Sequence, residues 1–193
     1  MHRSINRYRP TDSRLLRRDF LKLGVLVTGT VLNPFSALAA FDSRTKLFKN
    51  LAFYNTHTDE RLEVCYFRKG KYNTEALRKI NYILRDHRTG DIKAIDVQLL
   101  ELLHAISITT KSQAPFHIIS GYRSAATNRK LRRNSNGVAS RSMHMQGKAI
   151  DIRVPDLSTK KLHRVAIKMK GGGVGYYPRS DFVHVDVGRV RYW

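Results

Sequence analysis

The sequence predicts an α+β fold: a single domain with a small, largely antiparallel sheet flanked by helices. Two β-rich runs surround a polar turn early in the chain, and apolar residues recur at helical spacing in the middle. Strands of alternating apolar and polar residues return near the end. A chain of 193 residues has room for one domain with a real core and hardly for two. Because the strands are mixed with unpaired helices, an α+β arrangement is expected.

Residues 1–39 have the order of a signal peptide: a basic stretch, an apolar run over 23–32, then small residues around 37–39. The apolar run is too short and too rich in Gly and Thr to span a bilayer stably. The stretch RRDFLK over 17–22 resembles the twin-arginine export signal, which is read by a receptor and is not an anchor. We therefore expect export to the periplasm by the twin-arginine machinery, no stable membrane insertion after processing, and a working domain over 40–193.

The first part of this domain reads as a hairpin followed by two scaffold helices. Residues 51–72 contain two β-rich runs around the turn Thr58-Asp59-Glu60. Thr74 precedes a helical pattern that runs to Arg88. Asp96 has the position of an N-cap for a second helix, VQLLELLHAISITT.

The second part of the domain has shorter elements. FHIISGYRS is expected to be a strand that runs into a polar turn, and AATNRKLRRNSNG a helix that ends at Gly137. AIDIRV reads as a strand, and Ser158 caps a helix that continues through Met169. The glycines of 171–173 indicate a flexible turn, and DFVHVDVGRVRYW is expected to close the domain as one strand.

The chain is strongly basic, with 36 Lys and Arg against 15 Asp and Glu and a formal charge of +21. Residues 1–39 carry a net five of these charges, so the working domain keeps about +16 and should attract polyanions. Nucleic acid is not expected as the partner, because the protein is exported and has no recognised nucleic-acid-binding signature. Cys65 is the only cysteine, so any metal must be held by His and carboxylate ligands.

The last two predicted strands place several polar residues on one face. In AIDIRV, Asp151 lies between two isoleucines, where an unpaired carboxylate is costly. In FVHVDV, His184 and Asp186 share the face opposite the valines, and His144 precedes the first strand in a turn. Two imidazoles and one carboxylate with an open fourth position are a ligand set of catalytic zinc. Taken alone, the spacing leaves a zinc site and a metal-free hydrogen-bonded cluster both open.

Three stretches together resemble the signature blocks of the LAS superfamily of zinc peptidases, which includes D-Ala-D-Ala carboxypeptidases and whose fold is shared with the hedgehog signalling domain. They are Ser120–Ser124 (SGYRS), Ser142–Asp151 (SMHMQGKAID) and Phe182–Gly188 (FVHVDVG). Within that superfamily, the tail from Gly171 onward is similar to the MepK-type murein endopeptidases. The resemblance covers nearly all of the domain and is strongest after residue 116.

The resemblance implies one Zn²⁺ per chain, held by His144, Asp151 and His184. It also implies that Arg123 stabilises the oxyanion formed when water attacks the scissile carbonyl. Such a role is physically sensible, since a guanidinium aimed at developing negative charge supplies preorganised stabilisation.

The resemblance leaves the general base open between two acids. Endolysin-like relatives place an acid three residues before the last ligand, at Asp181, whereas the MepK-like pattern features an acid two residues after it, at Asp186. We favour Asp186, because strand alternation puts it on the same face as the ligand and Asp181 could simply be solvated at the start of the strand. Ser120 and Ser142 are predicted to position a ligand or the substrate, or else to cap turns.

The implied activity is hydrolysis of peptide cross-links in peptidoglycan by metal-activated water, during cell-wall remodelling. The acidic stem peptides would suit a basic domain. Two alternatives stay open: a D,D- or L,D-carboxypeptidase that trims stem peptides, and an inactive zinc-stabilised peptidoglycan-binding module. Which cross-link is cut, 3-3 or 4-3, is not determined, although the MepK resemblance leans towards 3-3.

Overall fold

The structure is a computed structural model that describes residues 47–134 and 137–193. The predicted signal peptide therefore lies outside the described residues. Among the helices that are described, none combines the length and hydrophobicity that crossing a bilayer requires.

The described residues form a sheet of eight strands and four α-helices. In chain order these are β1 (Phe48–Asn55), β2 (Arg61–Arg68), β3 (Lys71–Tyr72), α1 (Thr74–Ile83), α2 (Val97–Thr110), β4 (Phe116–Ser120), α3 (Ala125–Asn134), β5 (Ala149–Arg153), α4 (Thr159–Met169), β6 (Gly173–Tyr177), β7 (Phe182–Asp186) and β8 (Arg191–Tyr192). Short 3₁₀ turns precede β5 and β7, over Met143–Gln146 and Pro178–Ser180.

The α+β class is confirmed, but the sheet is neither small nor uniformly antiparallel. The eight strands lie in the order β3-β2-β1-β4-β5-β7-β6-β8, and the sheet is mixed, because β1 with β4 and β6 with β8 pair in parallel. Three strands, β3, β6 and β8, were not predicted as separate elements, and β3 is the end of the second predicted β-rich run. The glycines that read as a flexible turn lead into β6, and the expected final strand divides into β7 and β8 around Gly188.

The other elements largely follow the sequence. β1 and β2 form the predicted antiparallel hairpin, and the side chains of Asp96 and Ser158 cap α2 and α4. The side chain of Asn73 caps helix α1. The helix ends at Ile83, five residues before the end of the predicted pattern at Arg88. The chain then turns, and the turn closes where the Gly90 N–H donates to the carbonyl of Asp86 at 2.7 Å.

The hydrophobic core lies on one face of the sheet, under α1, α2 and α4. The strands contribute alternate residues to it, among them Ile150, Ile152, Val183 and Val185, none of which is exposed. The helices cover them with side chains that include Ile80, Leu99, Leu103 and Leu162. The opposite face of β5 and β7 is left for polar side chains, and the candidate site forms there.

Candidate metal centre

The site is assembled by two neighbouring strands and the turn before them. β5 and β7 pair antiparallel in a register that sets Asp151 directly opposite His184. The third residue, His144, lies in the 3₁₀ turn before β5, where the Ser142 hydroxyl accepts a hydrogen bond from the His144 N–H at 3.3 Å. All three side chains are buried, so they meet away from bulk water.

The three side chains offer one atom each at nearly equal separations. His144 Nε2 is 3.2 Å from Asp151 Oδ1 and 3.1 Å from His184 Nδ1, and His184 Nδ1 is 2.8 Å from Asp151 Oδ1. Ligands about 2.0–2.1 Å from a tetrahedral zinc ion are separated by roughly 3.3 Å. The donor set and its spacing therefore fit a zinc ion.

Hydrogen bonds behind the two histidines decide which ring nitrogens face the centre. His144 Nδ1 lies 2.7 Å from the carbonyl oxygen of Gly121, which can only accept, so this nitrogen carries the proton. His184 Nε2 lies 3.0 Å from Asp186 Oδ2 and donates to that carboxylate in the same way. In their neutral forms, both rings then turn an unprotonated nitrogen towards Asp151.

The electrostatics of the cluster call for positive charge at its centre. Burial lowers the pKa of His144. Burial would raise the pKa of Asp151, but the two neighbouring histidines more than offset this and keep the pKa of Asp151 low. Burial also lowers the pKa of His184, yet its hydrogen bonds to Asp151 and Asp186 outweigh this and raise the pKa. Three acceptor atoms that face one another repel unless a proton or a cation lies between them.

Arg123 reaches the same centre from the segment after β4. Its Nη2 group binds Asp151 Oδ2, and its Nε group donates to the Ser120 hydroxyl at 2.8 Å. The guanidinium thus holds the outer carboxylate oxygen and leaves Oδ1 for the histidines. Ser120, predicted to contact ligand or substrate, orients Arg123 in this structure, and Ser142 both caps the His144 turn and lines the cleft.

The segment that carries Arg123 is fixed by residues that the sequence analysis did not single out. The buried Asp86 carboxylate accepts hydrogen bonds from the backbone N–H groups of Ser124 and Arg88, at 2.9 and 3.0 Å. The segment also packs closely on the chain after α1, because a Cβ atom at Gly121 would lie 2.4 Å from the carbonyl oxygen of Leu84. A polar residue in the turn after a helix was the only sequence signal for Asp86.

The Asp186 carboxylate contacts His184 at Nε2, the ring nitrogen that faces away from His144 and Asp151. This carboxylate is fully buried and also binds the N–H groups of Gly173 and Gly188 at 3.0 and 2.8 Å, and both terminal nitrogens of Arg191. Burial would raise the pKa of Asp186, but these hydrogen bonds lower it. Arg191 was not predicted from the sequence, although a buried carboxylate at the end of a strand needs such a partner.

Neither acid expected as general base lines the cleft. The Asp186 carboxylate is occupied by the contacts just described, on the side of the His184 ring away from the other two ligand atoms. The Asp181 carboxylate accepts a hydrogen bond from the Thr159 hydroxyl and lies 3.6 Å from Arg153 Nη1. Their roles in catalysis therefore stay predictions.

The ligand cluster opens into a cleft between the loop over 137–143 and a group of aromatic side chains. The latter belong to Tyr177, Phe182 and Trp193, and Arg123, Arg141 and Arg191 also line the cleft. Trp193, which the sequence analysis did not single out, places its ring 5.3 Å from the ring of His184. The cleft thus combines the three ligand atoms, cationic groups and an aromatic surface.

Comparison with known proteins places this arrangement in a family. The family described as "Peptidoglycan L,D-endopeptidase MepK" matches residues 43–193. The protein of that name from Escherichia coli (strain K12) is 38% identical over 177 residues, which cover 92% of this chain and 96% of the relative. The "Probable peptidoglycan L,D-endopeptidase MepK" of Haemophilus influenzae is 38% identical over 178 residues, covering 92% and 95%.

Proposed function

The chain belongs to the family described as peptidoglycan L,D-endopeptidase MepK, and from this membership we propose that it is a zinc-dependent murein endopeptidase. It would hydrolyse peptide cross-links between stem peptides of the cell wall. The observation that carries the proposal is the inward-facing trio His144 Nε2, Asp151 Oδ1 and His184 Nδ1, whose spacing fits a metal ion at the bottom of a cleft.

In this proposal His144, Asp151 and His184 hold one Zn²⁺ per chain. A zinc ion with three protein ligands supplies Lewis acidity and lowers the pKa of a bound water to about 7. The carbonyl of Gly121 and the carboxylate of Asp186 keep the two imidazole rings in the orientation and tautomer that binding requires.

Arg123 has two tasks in the proposed reaction. It fixes Asp151 through the outer carboxylate oxygen, and it places a permanent positive charge at the edge of the cleft. Negative charge that develops on the carbonyl oxygen of the scissile bond would be stabilised by that charge, without reorganisation during the reaction. Ser120 keeps the guanidinium in this place, and Ser142 supports the His144 turn.

We propose a positioning role for Asp186 in place of the base role favoured from the sequence. All of its contacts serve His184, Arg191 and two backbone N–H groups, so proton transfer with the substrate would need a rearrangement. Asp181 keeps the base role as a prediction. Its side chain is exposed, and it directly precedes the cleft residue Phe182 in the chain.

The proposed substrate is a cross-linked stem peptide whose scissile bond joins an L centre to a D centre. The relatives' name, L,D-endopeptidase, favours such a bond, which is that of the 3-3 cross-link between two diaminopimelate residues. Arg141 and Arg191 at the cleft would favour the encounter with an acidic stem peptide. We further propose that residues 1–39 direct the protein to the periplasm by the twin-arginine route, where this substrate occurs.

The test is digestion of purified 3-3 and 4-3 cross-linked muropeptide dimers by the zinc-loaded full chain, with and without a chelator. Mass spectrometry of the products is expected to show dimers converted to monomers at the 3-3 bond only, and only without chelator. Release of a terminal D-amino acid from monomers would instead identify a carboxypeptidase. Binding of dimers without cleavage would identify a binding module and overturn the proposal.

A further inference from the structure

On the aromatic side of the cleft, Tyr177 contacts both Phe182 and Trp193 in a defined geometry. The Tyr177 ring stacks on Phe182, with centroids 4.5 Å apart and planes 17° apart. The Trp193 indole lies between Tyr177 and the ligand His184: its ring is 5.3 Å from the imidazole, and its Nε1 is 2.8 Å from the Tyr177 hydroxyl. The hydroxyl is therefore one indole ring away from the ligand cluster.

Trp193 is held in this place by independent contacts. Its backbone N–H donates to the carbonyl of Val174 at 3.2 Å, and its backbone carbonyl accepts from the Tyr176 N–H at 2.9 Å. The ring fits over Gly175, where a Cβ atom would lie only 2.6 Å from Trp193 Cε2. The Arg191 guanidinium lies 5.0 Å from the ring centroid, within the range of a cation–π contact. The indole is thus pre-positioned before any substrate arrives.

The hydrogen bond between the two aromatic residues has only one possible direction. An indole Nε1–H is a donor only, so the Tyr177 oxygen must accept from Trp193. The phenol proton is then available for another acceptor. Within residues 47–134 and 137–193 the Tyr177 hydroxyl makes no second hydrogen bond, and Tyr177 lines the cleft.

Two of the arginines that line the cleft are already engaged with carboxylates, so a further hydrogen-bond donor to a bound peptide would come from another residue. Arg123 and Arg191 already direct nitrogen atoms to the carboxylates of Asp151 and Asp186, which limits how they can turn towards a bound peptide. We propose that the Tyr177 hydroxyl, oriented by Trp193, donates a hydrogen bond to the carbonyl oxygen of the bond that is cleaved. The inference rests on the proposed peptidase function and adds a catalytic residue, Tyr177, and a positioning residue, Trp193.

The test compares conservative variants of the zinc-loaded full chain on the cross-linked dimer that the wild type cleaves. Tyr177→Phe keeps the ring and its stacking but removes the hydroxyl, and should lower kcat by roughly 10- to 100-fold with a smaller change in KM. Trp193→Phe keeps an aromatic ring but removes the N–H donor together with one ring of the indole, and it should lower kcat less. In the double variant kcat should fall no further than in Tyr177→Phe, because Trp193 acts through Tyr177.

Tyr176→Phe is the matched control, since this neighbouring tyrosine stacks on His163, with centroids 4.7 Å apart, and does not line the cleft. It should leave kcat unchanged. Zinc content should stay at the wild-type value in every variant, and Tm should do so in the two single tyrosine variants. A kcat of Tyr177→Phe within twofold of wild type would overturn the inference, as would additive losses in the double variant. If Tyr177→Phe fails to fold, an unchanged kcat of Trp193→Phe overturns it.

The wild type separates this inference from the proposed function. If the wild type cleaves the dimer, the proposed function stands and the variants decide the role of Tyr177. If it binds the dimer without cleavage, the proposed function fails. Calorimetry then decides the inference: a Kd raised at least fivefold by Tyr177→Phe supports a hydrogen bond to the peptide, and an unchanged Kd overturns it. If the wild type neither binds nor cleaves, both are overturned.

Discussion

The two faces of strands β5 and β7 are built from alternate residues of the same short segments and obey different rules. On one face Ile150 and Val185 are paired across the strands and packed under helices. On the other face Asp151 and His184 are paired in the next register position and converge with His144. A shift of one residue in the register would exchange the two faces, so the core fixes the register that the site needs.

The volume and shape of the side chains matter on the core face, and particular atoms matter on the site face. The core face needs apolar side chains of about the right volume, and volume-conserving exchanges there are tolerated. The site face needs specific nitrogen and oxygen atoms, each held by a partner behind it, such as Gly121, Asp186 or Arg123. Stability and function should therefore separate when residues on the two faces are changed.

The largest effect is expected from a substitution that changes the site face alone. His144→Ala should abolish zinc binding and lower peptidase activity by about a thousandfold or more, because one of three ligands is lost. The fold should remain, since His144 lies in a turn and outside the hydrophobic core. Zinc analysis, a muropeptide digest and circular dichroism check these expectations. Unfolding of this variant would show that the two faces are not separable.

The reciprocal change breaks the core face alone. Ile150→Ala should lower the free energy of unfolding by about 2–5 kcal/mol, through lost transfer energy and a cavity under the helices. At a temperature where the variant stays folded, it should bind zinc and cleave its substrate like the wild type. Denaturant unfolding and zinc titration measure the two quantities. Loss of zinc binding in the folded variant would contradict the separation.

Asp186→Asn and Asp181→Asn separate a positioning role from a base role among the acids near the site face. If Asp186 positions His184, its variant should weaken zinc binding by roughly 10- to 100-fold and lose activity in proportion. If Asp181 is the general base, its variant should keep wild-type zinc affinity, lose kcat, and lose the acidic limb of the pH–rate profile. Zinc affinity and pH profiles of both variants distinguish these roles. A loss of the acidic limb in Asp186→Asn alone would restore Asp186 as the base.

The smallest expected effect concerns Asp86, which supports the site from outside both faces. Burial would raise the pKa of Asp86, but hydrogen bonds from Thr127, Ser124 and Arg88 outweigh burial and hold it at about 2. Because this pKa lies below the ordinary value of 3.8, the ionised carboxylate stabilises the fold above pH 4, by about 2 kcal/mol. That contribution is lost as the pH falls through 2.

Asp86→Asn should therefore be less stable than the wild type at pH 7, and the gap should close between pH 4 and pH 2. Urea unfolding across this range measures it. Asp91→Asn is a suitable control, because within residues 47–134 and 137–193 no hydrogen bond or ion pair joins the Asp91 side chain to the segment that carries Arg123, and its replacement should cost little stability at pH 7. A gap that is constant with pH would mean that the Asp86 charge contributes nothing.

Alternation and capping rules made much of this structure predictable. They correctly assigned the polar face of β5 and β7, the hairpin, and the caps Asp96 and Ser158. His144 was already a candidate from its place in the turn before β5, and the resemblance gave it the role of a metal ligand, which no periodic pattern indicates. These features depend on neighbours in the sequence or on short motifs, which a single sequence displays.

The features that escaped prediction depend on contacts between distant segments. β6 contains two glycines and has no strand pattern, because Trp193 and Asp186 occupy the space that side chains would fill there. Asp86 and Arg191 act on residues outside their own elements, through contacts set by the tertiary fold. The same applies to Asp186, whose face was predicted correctly while its orientation behind the His184 ring was not.

The site face of β5 and β7 is expected to hold one zinc ion through atoms positioned by the fold. Calorimetric titration of zinc into the metal-free full chain measures this, with His144→Ala and Ile150→Ala in parallel. One zinc ion per chain is expected to bind to the wild type and, with the same affinity, to Ile150→Ala. No zinc is expected to bind to His144→Ala. A wild type that binds no zinc, or a His144→Ala variant that binds it as tightly, would contradict the account.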